Sequence, residues 1–364
     1  MRSSSCFSFL LAACASLPAL GTSLGPPETP DEVFGACPTY GAVSTFARTP
    51  TPPGFPEGIA LFDGRAYVSA PAAFVTVGLG PTEVFVHDRF TGALLRRLPI
   101  QGTDLSREHP ASEVAVDGFG RVYVSDNQQG ILRITPGGWQ QRYSTAFPDL
   151  PTCASAPAGT PCSPTAVDRP PLVNGLAFDA HGNLYVTDSF QATLWRIPAG
   201  GGAPRIWFQD ARLDVDFGPN GLAIGPGGHF LYFTVSGFDV GVVYRLPLTW
   251  RPTAADLHTL VTLPGQGPDG LAFGAHGWLY VALAIPNQVA VFDMHGQELA
   301  RLPPPGAPVG SIPVDGPSAI AFDAFTRTAL VVNHAPLTGN PEHFGVLRFC
   351  VNDPGWPLDR PLVP

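Results

Sequence analysis

The sequence predicts an all-β fold, a six-bladed β-propeller closed by an N-terminal strand that joins the last blade. Three observations carry that prediction. A short phrase recurs six times: a polar lead, a small apolar strand of the Gly-Leu-Ala-Phe type, a turn, and a second strand of the Leu-Tyr-Val type. The leads are Glu57, Glu113, Asn174, Asn220, Asp269 and Ser318, and their separations of 56, 61, 46, 49 and 49 residues suit one four-stranded blade per repeat. Lastly, 41 Gly and 42 Pro among 364 residues punctuate short Val, Ile, Phe and Tyr runs, and no long stretch has helical periodicity.

Taken in order, Met1-Arg2 and the apolar run 7–19 read as a secretory signal within residues 1–25, too short to span a bilayer. Leu11-Ala-Ala-Cys14 also fits a lipobox, in which Cys14 would carry a lipid anchor, and cleavage near 21–25 is the alternative. A secreted or cell-envelope location is expected. Gly21-Thr-Ser23-Leu-Gly25 matches a nucleophile elbow but has neither the strand before it nor the helix after it, and carries no weight.

Residues 26–364 are expected to form one propeller domain. Repeat six runs out after Val351, one strand short, and the stretch 41–48 (GAVSTFAR) is a suitable donor for the missing strand. Cys37 would then lie near Cys350, and export makes a disulfide between them reasonable. The Pro-rich segment 147–171 carries Cys153 and Cys162 nine positions apart, which suits a local disulfide. It is either a stapled lid or rim loop, or plain surface decoration.

In each repeat the Gly-Leu-Ala-Phe strand is narrow enough to lie innermost around a central channel. Because the next strand returns antiparallel, the start of the first and the end of the second share one face. The six leads therefore ring one mouth, with Asp126, Asp188 and His334 beside them. Phe190, Phe238 and Ile285 fall in loops at that mouth and suggest a partly apolar pocket.

All 20 basic residues are Arg, so Schiff-base chemistry and a P-loop lysine are excluded. A net charge of -9 without a basic cluster argues against nucleic acid or an anionic membrane as partner and suits a cation. Glu57, Asn174, Asn220 and Asp269 bring two carboxylates and two amide oxygens to a pore of single-ion width. That hard-oxygen set favours one calcium, with magnesium, manganese or oxygen-ligated zinc behind it. Any one Asn or Asp before Gly would alone be read as a turn residue. Four in register point to a site.

These phrases, Pro-Glu57-Gly, Asn174-Gly-Leu-Ala-Phe-Asp, Pro-Asn220-Gly-Leu-Ala and Pro-Asp269-Gly-Leu-Ala, resemble those of the senescence-marker-protein/gluconolactonase superfamily, over roughly residues 55–351. The resemblance implies a catalytic divalent metal held by Glu57, Asn174, Asn220 and Asp269. It gives Asp269 a second role as base or nucleophile in lactone or ester hydrolysis. His334 matches a sixth-repeat histidine used by some members, or else is a turn residue. Glu113 is an added carboxylate, and His109 a further candidate acid or base. The expected protein is a monomeric, metal-dependent hydrolase of small lactones or related esters. The alternatives are a non-catalytic NHL-type binding platform and a strictosidine-synthase-like condensing enzyme, against which the four-residue set counts.

Overall fold

The computed structural model describes residues 39–364. Their strands form six four-stranded antiparallel sheets, with only two short 3-10 turns, Ala211–Leu213 and Ala254–Asp256. The inner strands are Ile59–Phe62, Ala111–Val116, Val173–Phe178, Pro219–Ile224, Pro268–Phe273 and Pro317–Asp323. Each touches its neighbours on both sides, and the last touches the first. The six sheets are therefore the blades of a ring, as predicted. Five blades are consecutive in sequence. The sixth is ordered Val43–Arg48, Gly345–Cys350, Thr328–Asn333, Pro317–Asp323, so its outermost strand comes from the N-terminal side. The signal region, Cys14 and Cys37 lie outside the described residues. Cys350 stands in the disulfide-bonded state.

Small residues allow the inner strands to converge. A Cβ on Gly221 would lie 2.5 Å from Gly270 Cα and 2.6 Å from the Asp269 carbonyl oxygen, closer than atoms pack. The second strands, such as Leu184–Asp188, are buried on both faces and therefore read as unbroken apolar runs. The core lies between blades: Tyr185, Leu194 and Trp207 of the third pack against Leu222, Phe233 and Tyr244 of the fourth. Outer strands such as Leu94–Pro99 are largely exposed, and Arg96 and Arg97 blunt that edge.

The Asp and Tyr of the repeated phrase act on the face away from the mouth. Asp179 Oδ1 accepts hydrogen bonds from the backbone N–H groups of His181 and Asn183, which fixes the turn. Its Oδ2 takes the Tyr185 hydroxyl at 3.4 Å. Asp117 does the same with Phe119, Arg121 and Tyr123. The last residues cross these turns. Asp353 accepts from Ala275 N–H, the Arg360 guanidinium donates to the Leu61 carbonyl, the Pro361 carbonyl accepts from Gly118 N–H, and Arg121 donates to the Val363 carbonyl. Val363 is buried among Leu176, Leu184 and Tyr123. The C-terminal segment thus spans blades five, one, two and three on the face opposite the mouth.

Candidate active site

A repeated irregularity in the ladder places the site. In five blades the inner strand slips register against its neighbour: between Ala111 and Val114, Val173 and Leu176, Pro219 and Leu222, Pro268 and Leu271, and Pro317 and Ile320. Two residues per slip leave the ladder, which re-aims a side chain as β-bulges do beside active sites. The first residue of four slips, Ser112, Asn174, Asn220 and Asp269, lines one cavity at the channel mouth. Glu57 holds the same place in blade one, since Ile59 pairs with Val68 as Leu176 pairs with Val186. Glu57, Asn174, Asn220, Asp269 and His334 therefore border the same space, as their spacing predicts.

The register corrects the lead of repeat two. Val114 pairs with Val124 as Leu176 does with Val186, so Ser112 is the counterpart of Asn174, and Glu113 stands where other blades have Gly58, Gly175, Gly221 and Gly270. Both readings fit an acidic residue before a Val-Ala-Val strand, and only pairing separates them. Glu113 Oε1 accepts from the N–H groups of Ile59 and Val114, so this carboxyl bridges blades one and two. Burial and the nearby Glu57 charge lift it to about 8 against those two donors.

One element of the site escapes the sequence reading. The residue after the Tyr-Val or Tyr-Phe pair is a hydroxyl in repeats one to four: Ser69, Ser125, Thr187 and Thr234. Thr187 Oγ1 accepts the Gly175 N–H at 2.8 Å, which the slip has freed, and donates to the Asn220 carbonyl of the next blade. Ser69 and Ser125 repeat the pattern, and Thr234 donates to the Asp269 carbonyl at 2.8 Å. Ser318 Oγ donates to the Glu57 carbonyl at 2.8 Å, linking blade six to blade one. The recurring Ser or Thr after Tyr-Val was the available signal.

The side chains are aimed as well as gathered. Asn220 Nδ2 donates to Ser236 Oγ at 3.0 Å, leaving Oδ1 buried without a hydrogen-bond partner. Glu57 Oε2 is 2.6 Å from His334 Nδ1, yet that ion-pair contact lacks hydrogen-bond geometry, so Oε2 too has no hydrogen bond. Glu57 Oε2 nonetheless faces the His334 ring closely, whereas Asn220 Oδ1 faces no donor at all. His334 Nε2 donates to the Ala72 carbonyl. Burial pulls the His334 ring down, but the Glu57 carboxylate outweighs it and the net shift is upward. Asp269 is partly open to the cavity. Even so, burial first, then the Glu57 and Glu113 charges, hold its carboxyl well above the ordinary range.

Carboxylates crowded without an adjacent arginine, beside an amide oxygen with nothing to accept, form the environment that a hard cation would relieve. Among the described residues no group of three or more His, Cys, Asp and Glu side chains is arranged to hold a metal. The converging set differs in kind, since half its donors are amides.

Other candidates have structural work. His109 is buried, with Nδ1 on the Arg107 carbonyl and Nε2 on the Gly80 carbonyl, outside the cavity lining. Asp188 accepts from three backbone N–H groups, Gln191 Nε2 and Trp195 Nε1. Asp126 accepts from Gln128 and Gln129 N–H. Cys153 and Cys162 form a disulfide, and Pro170 and Pro171 at the far end of that loop line the cavity.

The cavity measures about 270 Å³. Phe190, Phe238 and Ile285 line it, as expected, and so do Phe74, Phe217 and Leu337.

No protein-family model matches the chain, and no curated protein matches it in sequence. Solved structures share the fold. A calcium-binding protein, regucalcin, from Agrobacterium tumefaciens is 17% identical over 88% of this chain and 99% of its own, with a TM-score of 0.60. A gluconolactonase from Xanthomonas campestris is 19% identical over 84% and 88%, with a TM-score of 0.55. At such identities the likeness is one of fold. A virginiamycin B lyase from Staphylococcus aureus is 16% identical over 84% and 98%, with a TM-score of 0.53, so the fold alone does not fix the reaction.

Proposed function

We propose that the protein is a metal-dependent hydrolase of lactones or related esters, secreted or held at the cell envelope. The single observation that carries this reading is the buried Asn220 Oδ1, left without a donor beside the Glu57 and Asp269 carboxyls. A gluconolactonase and a calcium-binding protein among the structures that share the fold support it.

Glu57, Asn174, Asn220 and Asp269 would hold one divalent ion, calcium by their all-oxygen character. When bound, such an ion supplies Lewis-acid polarisation of a carbonyl oxygen. The chain's own groups do the rest. Asp269, open to the cavity, acts as a carboxylate: it either takes a proton from water or attacks the carbonyl carbon itself. In the first route the hydroxide so formed adds to the carbonyl carbon, the acyl C–O bond breaks, and the alkoxide leaving group takes the proton that Asp269 had accepted. In the second the attack breaks the same bond and leaves an anhydride on Asp269. The alkoxide takes a proton from water, and the remaining hydroxide cleaves the anhydride to free Asp269. His334 restrains Glu57 from one side and is fixed by the Ala72 carbonyl on the other, which makes it a positioning residue.

The test is turnover of a lactone panel with and without chelator. Asp269→Asn keeps an oxygen donor and removes the base or nucleophile. It should keep the fold and lose more than about a hundredfold in kcat/KM. His334→Gln should lose less. An Asp269→Asn protein as active as its parent, or a metal-loaded parent inert on every lactone and ester, would leave a binding platform as the better description.

A further inference from the structure

We infer that the substrate is a neutral lactone or ester with an apolar tail, and that Phe74, Phe190 and Phe217 form the specificity element that receives the tail. This rests on the hydrolase reading above and deepens it. The polar groups of the cavity are concentrated at its base: Glu57, Asn174, Asn220 and Asp269, with Ser236 and His334 beside them. Its walls are mainly aromatic and aliphatic, with Glu108 and Asn127 the polar exceptions. No arginine lines it, so an anionic substrate finds no guanidinium to pair with, while the carboxyls of Glu57, Glu108 and Asp269 would repel one.

The aromatic wall joins opposite sides of the ring. Phe74 follows the second strand of blade one, and Phe217 leads into blade four, three places away around six. Their rings nonetheless meet edge-to-face, 6.1 Å apart at 87°. Phe217 meets Phe190 of blade three in the same way, at 5.9 Å and 81°. The contacts therefore run over the mouth, with the polar base beneath. Both flanks are fixed. Thr76, two residues from Phe74, donates its N–H and hydroxyl to Glu108 Oε2 at 2.6 and 2.8 Å, and accepts from His109 N–H at 2.7 Å. The Arg169 guanidinium lies 5.3 Å from the Phe190 ring centre and donates to the Asp216 carbonyl.

A polyhydroxylated sugar lactone would set its hydroxyls against phenyl edges, and each buried hydroxyl without a partner is strongly disfavoured. An alkyl or aryl tail meets complementary surface there. Its carbonyl can still reach the polar base. Each methylene added to the tail gains burial, about fourfold in kcat/KM, until the cavity is full.

The experiment compares metal-loaded full-length protein on δ-valerolactone, δ-octalactone, δ-decanolactone and glucono-δ-lactone. The expected result is a kcat/KM that climbs several-fold per methylene, with δ-decanolactone ahead of glucono-δ-lactone by about a hundredfold or more. Phe217→Ser should flatten the climb, whereas Phe90→Ser, far from the mouth at the Phe325 contact, should not. A flat series, or preference for glucono-δ-lactone, overturns the inference. Calorimetry on Asp269→Asn protein separates the two ideas. Tail-length-dependent binding without hydrolysis by the parent sinks the hydrolase reading and keeps the pocket assignment. Equal or absent binding of all four lactones sinks the assignment.

Discussion

Asn220 shows how one amide is aimed at a task. Its position comes from the slip after Pro219, its rotation from the Ser236 hydroxyl, and the result is an oxygen facing inward with no donor. Ser236→Ala should let the amide turn. Divalent-ion affinity is then expected to fall roughly 10- to 100-fold, as for partners that orient metal ligands, and the ion-free melting temperature to drop modestly because the Pro268 carbonyl loses the Ser236 hydroxyl. Calorimetric titration checks it, and unchanged affinity would refute the aiming role. Asp126 makes a second case, away from the cavity. Burial outweighs its backbone donors and the nearby His109 and Arg142, lifting its carboxyl from 3.8 to about 6. The folded state therefore holds this proton where the unfolded chain has lost it. Its stabilising contribution is full below about pH 4 and is lost as pH rises toward about 6. Asp126→Asn should show a shallower decline of melting temperature than its parent between pH 4 and 6.5, and identical slopes would contradict the assignment.

At the scale of the element, the unit is a bulge plus a hydroxyl. The slip frees a glycine N–H, and the hydroxyl on the neighbouring strand takes it up while gripping the next blade's carbonyl. Thr187→Val keeps the shape and removes both bonds, leaving Gly175 N–H and Asn220 C=O buried and unmet. A loss of about 1–3 kcal/mol is expected in urea unfolding, together with weaker ion binding because Asn220 loses its anchor. No loss of stability would show that water or rearrangement satisfies the pair. These elements also mark where sequence reading succeeds and stops. Strand alternation, turn glycines and the Glu57, Asn174, Asn220 and Asp269 leads are legible because each is a local pattern of residue type. The offset in repeat two is not, since Ser112 and Glu113 are adjacent polar residues and only the Val114–Val124 pairing decides which lines the mouth. Phe217 was equally hidden, because its role comes from contact with Phe74, which is distant in sequence.

The described residues form a ring that closes where blade six meets blade one. Blade six borrows Val43–Arg48, and blades six and one are further joined by Arg89, which pairs with both oxygens of Asp323 at 3.0 and 2.7 Å. That carboxylate is 1% exposed and the guanidinium 10%, so removing one partner strands the other. Arg89→Ala should cost about 3–5 kcal/mol by denaturant unfolding, whereas an exposed pair such as Arg48 with Glu342 should cost under about 1 kcal/mol. Equal small losses would show that the closure does not depend on the buried pair. The C-terminal segment lies across the other face, so the ligand cavity is approached from the mouth, where the ring gathers its unpaired oxygens.

The most direct measurement is a calorimetric titration of calcium into chelator-treated protein, run beside Glu57→Gln and Asn220→Ala. The account predicts one ion per chain in the parent, with affinity reduced at least tenfold in each variant while both remain folded. Failure of calcium, magnesium, manganese and zinc to bind, or binding that both variants retain in full, would contradict it.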